Sequence, residues 1–153
     1  MPSLITENKI EQLSGFLEKL QKFENMSYEE FEEDKHFAVE RLLELIVICA
    51  SDTLLNLFSH LKEDMPTTLK TTFLRAGELK ILPNSLAKRL AEAAGMRNLL
   101  VHDYAKVDLK IIYKSIGQAL QDFSEFAMLM SQKADLIQSE MSEPPTEETQ
   151  SED

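Results

Sequence analysis

Apolar residues recur along this chain at three- and four-residue spacing, and no segment shows clean alternation, so the pattern predicts helices throughout. Ile10, Leu13, Phe16, Leu17 and Leu20 mark the buried side of a first helix, from Ser3 or Thr6 to about Glu24. Ser27, with Glu30 three residues on, has the form of a capping box. Glu29 to Lys35 is a charge run suited to a solvated first turn or two. From His36 to about Leu61, residues Val39, Leu42, Leu43, Ile46, Val47, Ala50, Leu54 and Leu57 predict a long helix. Pro66-Thr67-Thr68 breaks it, and Thr71 to Leu79 makes a short helix closed by Ile81-Leu82-Pro83. Pro83 and Asn84 open the next helix, since proline is tolerated in a first turn. A final long helix begins near Asp108 and carries Ile112, Ile116, Leu120, Phe123, Ala127 and Met130 on its core side. The expected class is all-α: an antiparallel bundle of four long helices and a short one, crossing at roughly 20°.

Composition narrows this picture. At 153 residues and 43% apolar content the chain suits one domain with a real core. Residues 1–138 are expected to form the bundle, and residues 139–153 an acidic tail too poor in apolar side chains to order itself. The N-terminal residues lack the pattern of a signal peptide. Leu42 to Ala50, interrupted by Glu44, is too short to span a bilayer. The single cysteine, Cys49, allows no intrachain disulfide, and His36, His60 and His102 are too dispersed for a metal site. A cytoplasmic protein without membrane, metal or cofactor is the expectation. The net charge of −11 speaks against a general nucleic-acid binder. Six carboxylates of the tail account for much of it and leave −5 on residues 1–139, so a small local RNA site is compatible with the total.

The candidate chemistry sits in Arg97-Asn98-Leu99-Leu100-Val101-His102-Asp103-Tyr104. Arg97 follows Leu86, Leu90 and Ala93 on an apolar stripe, and Val101 continues it, so a cation stands where an apolar residue is expected. A second stripe, Ala87, Ala91, Gly95, Asn98 and His102, is small for most of its length and suits close approach of another helix or chain. Arginine grips phosphate through two parallel hydrogen bonds, and histidine exchanges protons near neutral pH. The five-residue step from Arg97 to His102 places the two on different faces of one regular helix. Either the helix ends or kinks near Val101, or a second copy of the chain completes the site across a twofold axis, and the second solution is favoured. Asp52 follows Leu45 and Ile48 along its helix, so it is either a buried partner for Arg97 or a residue of the bundle's wet edge. Lys106, Lys110 and Lys114 recur every four residues and are expected to form one basic ridge able to touch a nucleic-acid backbone.

The same residues carry a resemblance. Phe73-Leu74-Arg75-Ala76-Gly77-Glu78-Leu79, Ile81-Leu82-Pro83, Leu86-Ala87-Lys88-Arg89-Leu90, the run from Ala94 to Tyr104, and Val107-Asp108 together resemble the HepT family of HEPN domains. A weaker likeness covers Glu40-Arg41-Leu42-Leu43 through Asp52, and the whole spans most of residues 36–130. The resemblance implies a HEPN-like helical bundle that dimerises through its motif helices into a composite cleft. It also implies the toxin of a type II-like toxin–antitoxin pair, a metal-independent endoribonuclease. Its implied partner is an MntA-like nucleotidyltransferase that neutralises the toxin by AMPylation of the motif tyrosine, here Tyr104, within a homodimer or a larger hetero-oligomer.

On that implication, His102 acts as general base or acid on an RNA 2′-hydroxyl or leaving oxygen, and Arg97 stabilises charge on the phosphate. Asn98 positions His102 or phosphate, and Asp52 orients Arg97. The competing expectation is a HEPN module that binds nucleotide or docks a nucleotidyltransferase without cleaving anything.

Overall fold

A computed structural model of the chain describes the backbone of residues 2–142 and the side chains of residues 6–136. Five helices carry the fold: α1 (Pro2–Gln21), α2 (Tyr28–His60), α3 (Leu69–Glu78), α4 (Asn84–His102) and α5 (Leu109–Ser142). A single 3₁₀ turn, Tyr104–Lys106, joins the last two. No strand occurs among the described residues, and the expected four long helices and one short one are present. The acidic tail expected beyond residue 138 lies, from residue 143 on, outside the described residues.

Local chemistry explains the boundaries. The Ser27 side chain accepts from the Glu30 N–H at 3.2 Å and starts α2. Four of the five residues in the next turn, Phe31–Lys35, are charged and exposed, and the turn widens to π-helical geometry, while Phe31 is fully buried. Thr68 and Thr71 form a reciprocal capping box at the start of α3. Two lysines, Lys62 and Lys80, stand in the left-handed region at φ 61° and 60°. Each closes a helix by a pair of backbone bonds: Glu63 N–H to Phe58 and Lys62 N–H to Ser59, then Ile81 N–H to Ala76 and Lys80 N–H to Gly77. Glycine is the usual residue there, and lysine costs about 1 kcal/mol at each place.

Helix α2 is the centre of the bundle, touching all four others, while α1 also packs on α5 and α3 on α4. An 18-residue window of α2 has a mean hydropathy of 1.7, apolar enough by composition to cross a bilayer, but more than half of that window is buried inside the protein. The core is built from Leu13, Leu20, Ile46, Leu54, Phe58 and Leu90, with Phe73 edge-on to both Phe123 and Phe126 at 6.4 Å. Gly77 sets the spacing of α3 and α4. A Cβ there would lie 2.8 Å from the Ala87 Cβ and 2.9 Å from the Asn84 Oδ1, so only glycine allows this approach. That contact fixes the first half of α4 and thereby the direction of its second half.

Candidate functional site

Along α4 the environment changes at Gly95. Leu86, Ala87, Leu90, Ala91 and Ala94 are buried, whereas Asn98, Leu99, Val101 and His102 are exposed. In the last turn and a half only Leu100 is buried, so this stretch stands clear of the bundle on most of its circumference. The helix is regular through His102 and ends where the Asp103 N–H bonds to Leu99 O at 3.0 Å. It shows no kink and ends one residue after Val101, as one of the two expectations had it, with His102 still helical. Five residues turn the chain by about 140°. Arg97 and His102 therefore leave α4 in different directions.

Arg97 is partly buried on the inner side, at the edge of a crevice of about 290 Å³ between α2, α4 and α5. Leu43, Val47, Ala93, Met96, Ala119 and Phe123 give the crevice a largely apolar wall. Its buried carboxylate is Asp122, already held by Arg89 Nε and Gln118 Nε2, each at 3.0 Å. The Arg97 Nε is buried and has no hydrogen-bond partner among the described residues. Leaving such a donor unpaired costs about 1–3 kcal/mol, so the position is unusual for a residue kept only for stability.

The expected service of Asp52 to Arg97 is corrected by the structure. The Asp52 side chain is 49% exposed and faces α1, where an oxygen lies 4.0 Å from Lys9 Nζ. Leu45 and Ile48 are themselves only partly buried, so the stripe they define is the edge of α2 and not its core. The lysine ridge is corrected too. Lys106 belongs to the 3₁₀ turn and pairs with Asp103 at 3.2 Å, while α5 begins at Leu109. Lys110 and Lys114 alone share a helical face, and both are exposed.

The 3₁₀ turn is tied by Lys106 N–H to Asp103 and Val107 N–H to Tyr104, both at 3.0 Å, and it folds the Tyr104 ring back onto α2. There the phenol donates to the Glu40 carboxylate, with Oη 3.0 Å from Oε1 and 3.1 Å from Oε2. Glu40 is 5% exposed, and His36 Nδ1 lies 2.8 Å from its Oε2. Partial burial, followed by the hydrogen bond and charge of Glu40, pushes the Tyr104 phenol above its usual 10. Sequence reasoning singled out neither His36 nor Glu40. Their four-residue spacing in α2 and the polar Glu40 inside an apolar run were the available signals. Among the described residues no group of three or more His, Cys, Asp or Glu side chains is arranged to hold a metal.

Residues 13–130, which include Glu40, Arg97, His102 and Tyr104, match the model of the family described as "Ribonuclease HepT-like". The chain belongs to the HepT-like ribonuclease family. It is 34% identical over 122 residues to the tRNA nuclease HepT of Aphanizomenon flos-aquae, covering 78% of this chain and 83% of that protein. Against the mRNA nuclease HepT of Shewanella oneidensis, identity is 27% over 62 residues, covering 40% of this chain and 47% of the relative. The tri-AMPylated HEPN toxin of Shewanella oneidensis, solved in complex with its MNT antitoxin, superposes with a TM-score of 0.77 at 21% identity. That superposition covers 84% of this chain and 97% of the toxin, so the HepT-like chain shares the HEPN fold over nearly the whole of that protein.

Proposed function

We propose that this HepT-like chain is the endoribonuclease toxin of a cytoplasmic toxin–antitoxin pair. Its composite site lies where two copies meet, with Arg97 from one and His102 from the other. The observation that carries the reading is the buried, unpartnered Arg97 Nε beside a helix end that exposes His102. A cation in that position calls for a phosphate or a second chain. Leu99 and Val101, 39% and 41% exposed, give the same helix end an apolar surface suited to a twofold partner.

In this site His102 takes the proton of an RNA 2′-hydroxyl, and the resulting oxygen attacks the adjacent phosphorus. The P–O5′ bond breaks, a proton returns to the 5′-oxygen, and the products are a 2′,3′-cyclic phosphate and a 5′-hydroxyl. Arg97 neutralises the charge that grows on the non-bridging oxygens, and Asn98, exposed one residue on, hydrogen-bonds the phosphate. Lys110 and Lys114, with Lys106 after release from Asp103, contact the RNA backbone. Metal independence is part of the proposal, since the steps use only side chains.

Silencing is assigned to a nucleotidyltransferase partner that transfers AMP to Tyr104, by analogy with the AMPylated HEPN toxin held by its MNT antitoxin. The added phosphate brings bulk and negative charge two residues from His102 and repels RNA. The test is cleavage of matched RNA and DNA strands by the chain and by His102→Ala. Cleavage of RNA alone, lost in the variant and indifferent to chelator, is expected. Cleavage of the DNA strand, or full activity in the variant, would overturn the assignment.

A further inference from the structure

The buried carboxylate under Tyr104, Glu40, takes no part in the proposed steps of RNA cleavage. Glu40 touches the one atom that would become covalently modified, and it does so with both oxygens, at 3.0 and 3.1 Å. His36 holds one of those oxygens at 2.8 Å, and Phe31 and Phe37 flank the His36 ring at centroid distances of 6.1 and 4.0 Å. Tyr104 as a residue is 45% exposed, so its ring is not sealed inside the bundle, and its phenol proton is directed to the Glu40 carboxylate. A neutral phenol is a weak nucleophile and needs a base within hydrogen-bond reach as it attacks. Glu40 meets that geometric requirement.

We propose that Glu40 is the general base for nucleotidyl transfer to Tyr104, so that the modified chain, and not only the modifying enzyme, supplies part of the catalytic machinery. This rests on the reading that Tyr104 is the acceptor. The Tyr104 Oη forms a bond to the α-phosphorus of a nucleoside triphosphate, and the bond from that phosphorus to the bridging oxygen breaks. Pyrophosphate leaves with its electron pair, and the phenol proton passes to Glu40 and then to solvent. His36 is a positioning residue, which keeps the carboxylate turned toward the phenol.

The experiment is single-turnover AMP transfer from ATP, catalysed by the cognate nucleotidyltransferase and followed by intact mass, on wild type, Glu40→Gln and Tyr104→Phe. Wild type gains AMP, Tyr104→Phe gains none, and Glu40→Gln is slower by about a hundredfold or more at neutral pH. The Gln variant keeps a hydrogen-bond acceptor of the same shape. Its rate then rises about tenfold per pH unit as the phenolate forms unaided, while wild type stays nearly flat in that range. A merely structural role for Glu40 predicts no such difference in pH profile. Equal rates and profiles for wild type and Glu40→Gln would overturn the role of Glu40 and leave Tyr104 as acceptor. Wild type that gains no AMP would overturn both. If Glu40→Gln is unstable, Glu40→Asp keeps the charge and withdraws it by one methylene. A transfer rate at least tenfold below wild type is then expected, and an unchanged rate overturns the proposal.

Discussion

The two halves of α4 are one continuous helix with opposite fates. From Asn84 to Ala94 it buries Leu86, Ala87, Leu90, Ala91 and Ala94, with Ala87 pressed against Gly77. From Gly95 to His102 most of the circumference is exposed, with Leu100 still in the core, and no atom beyond the helix's own adjacent turns lies within 4 Å of where a Gly95 Cβ would stand. A small residue therefore has two meanings on one stripe. In the first half it permits an approach already made within the chain, and in the second it leaves room for an approach from outside. Structure is concentrated in the half that α3 grips, and the residues proposed for chemistry lie in the half it does not.

That contrast is broken most severely by His102→Ala. Cleavage of RNA is expected to fall by about 10²–10⁴-fold, with the urea midpoint unchanged because the side chain is exposed. Initial rates and equilibrium unfolding of the same preparation check both halves of the statement. Arg97→Ala comes next. It should lower activity by about 10²–10³-fold, while stability holds or rises because a buried unpaired donor is removed. A large loss of stability would show that Arg97 serves packing instead.

Within the gripped half, Gly77→Ala is expected to destabilise by about 1–3 kcal/mol, since the Cβ has no space against Ala87. Gly95→Ala carries the opposite sign, a gain of about 0.5–1 kcal/mol in urea unfolding, because the helix gains alanine and meets no neighbour in the chain. If activity falls while stability rises, Gly95 marks the closest approach of the second copy. The smallest effect is spectroscopic. The ultraviolet titration step that disappears in Tyr104→Phe should lie above 10, and Glu40→Gln should bring it back toward 10. The neutral phenol is the form favoured by folding. Its contribution is complete below 10 and lost as pH rises through the folded value.

The helices were legible because their punctuation is local: Ser27, Pro66 to Thr68, and Pro83 each act within a turn of where they stand. The fold class followed from periodicity, and the family from the run between Ala94 and Tyr104. Side-chain partners were harder. Asp52 was read against Arg97 because a stripe shows only that a residue follows apolar ones, not which neighbour covers that stripe; α1 does, with Lys9. Glu40 and Tyr104 are 64 residues apart and meet only because a 3₁₀ turn folds the ring back onto α2. The lysine ridge failed for a related reason, since counting by four ran across Val107 and Asp108, where the helix had not yet begun. Left-handed lysines at positions 62 and 80 have no sequence signature, because glycine is the residue expected there.

Subunit complementation tests the central claim most directly, that Arg97 and His102 work together only across two copies. Arg97→Ala and His102→Ala chains, each inactive alone, are unfolded together, refolded as an equal mixture and assayed for RNA cleavage. Each mixed dimer then pairs an intact Arg97 from one chain with an intact His102 from the other at one of its two sites. With half the dimers mixed, activity should recover to about a quarter of wild type. A mixture as inactive as either parent would contradict the composite site.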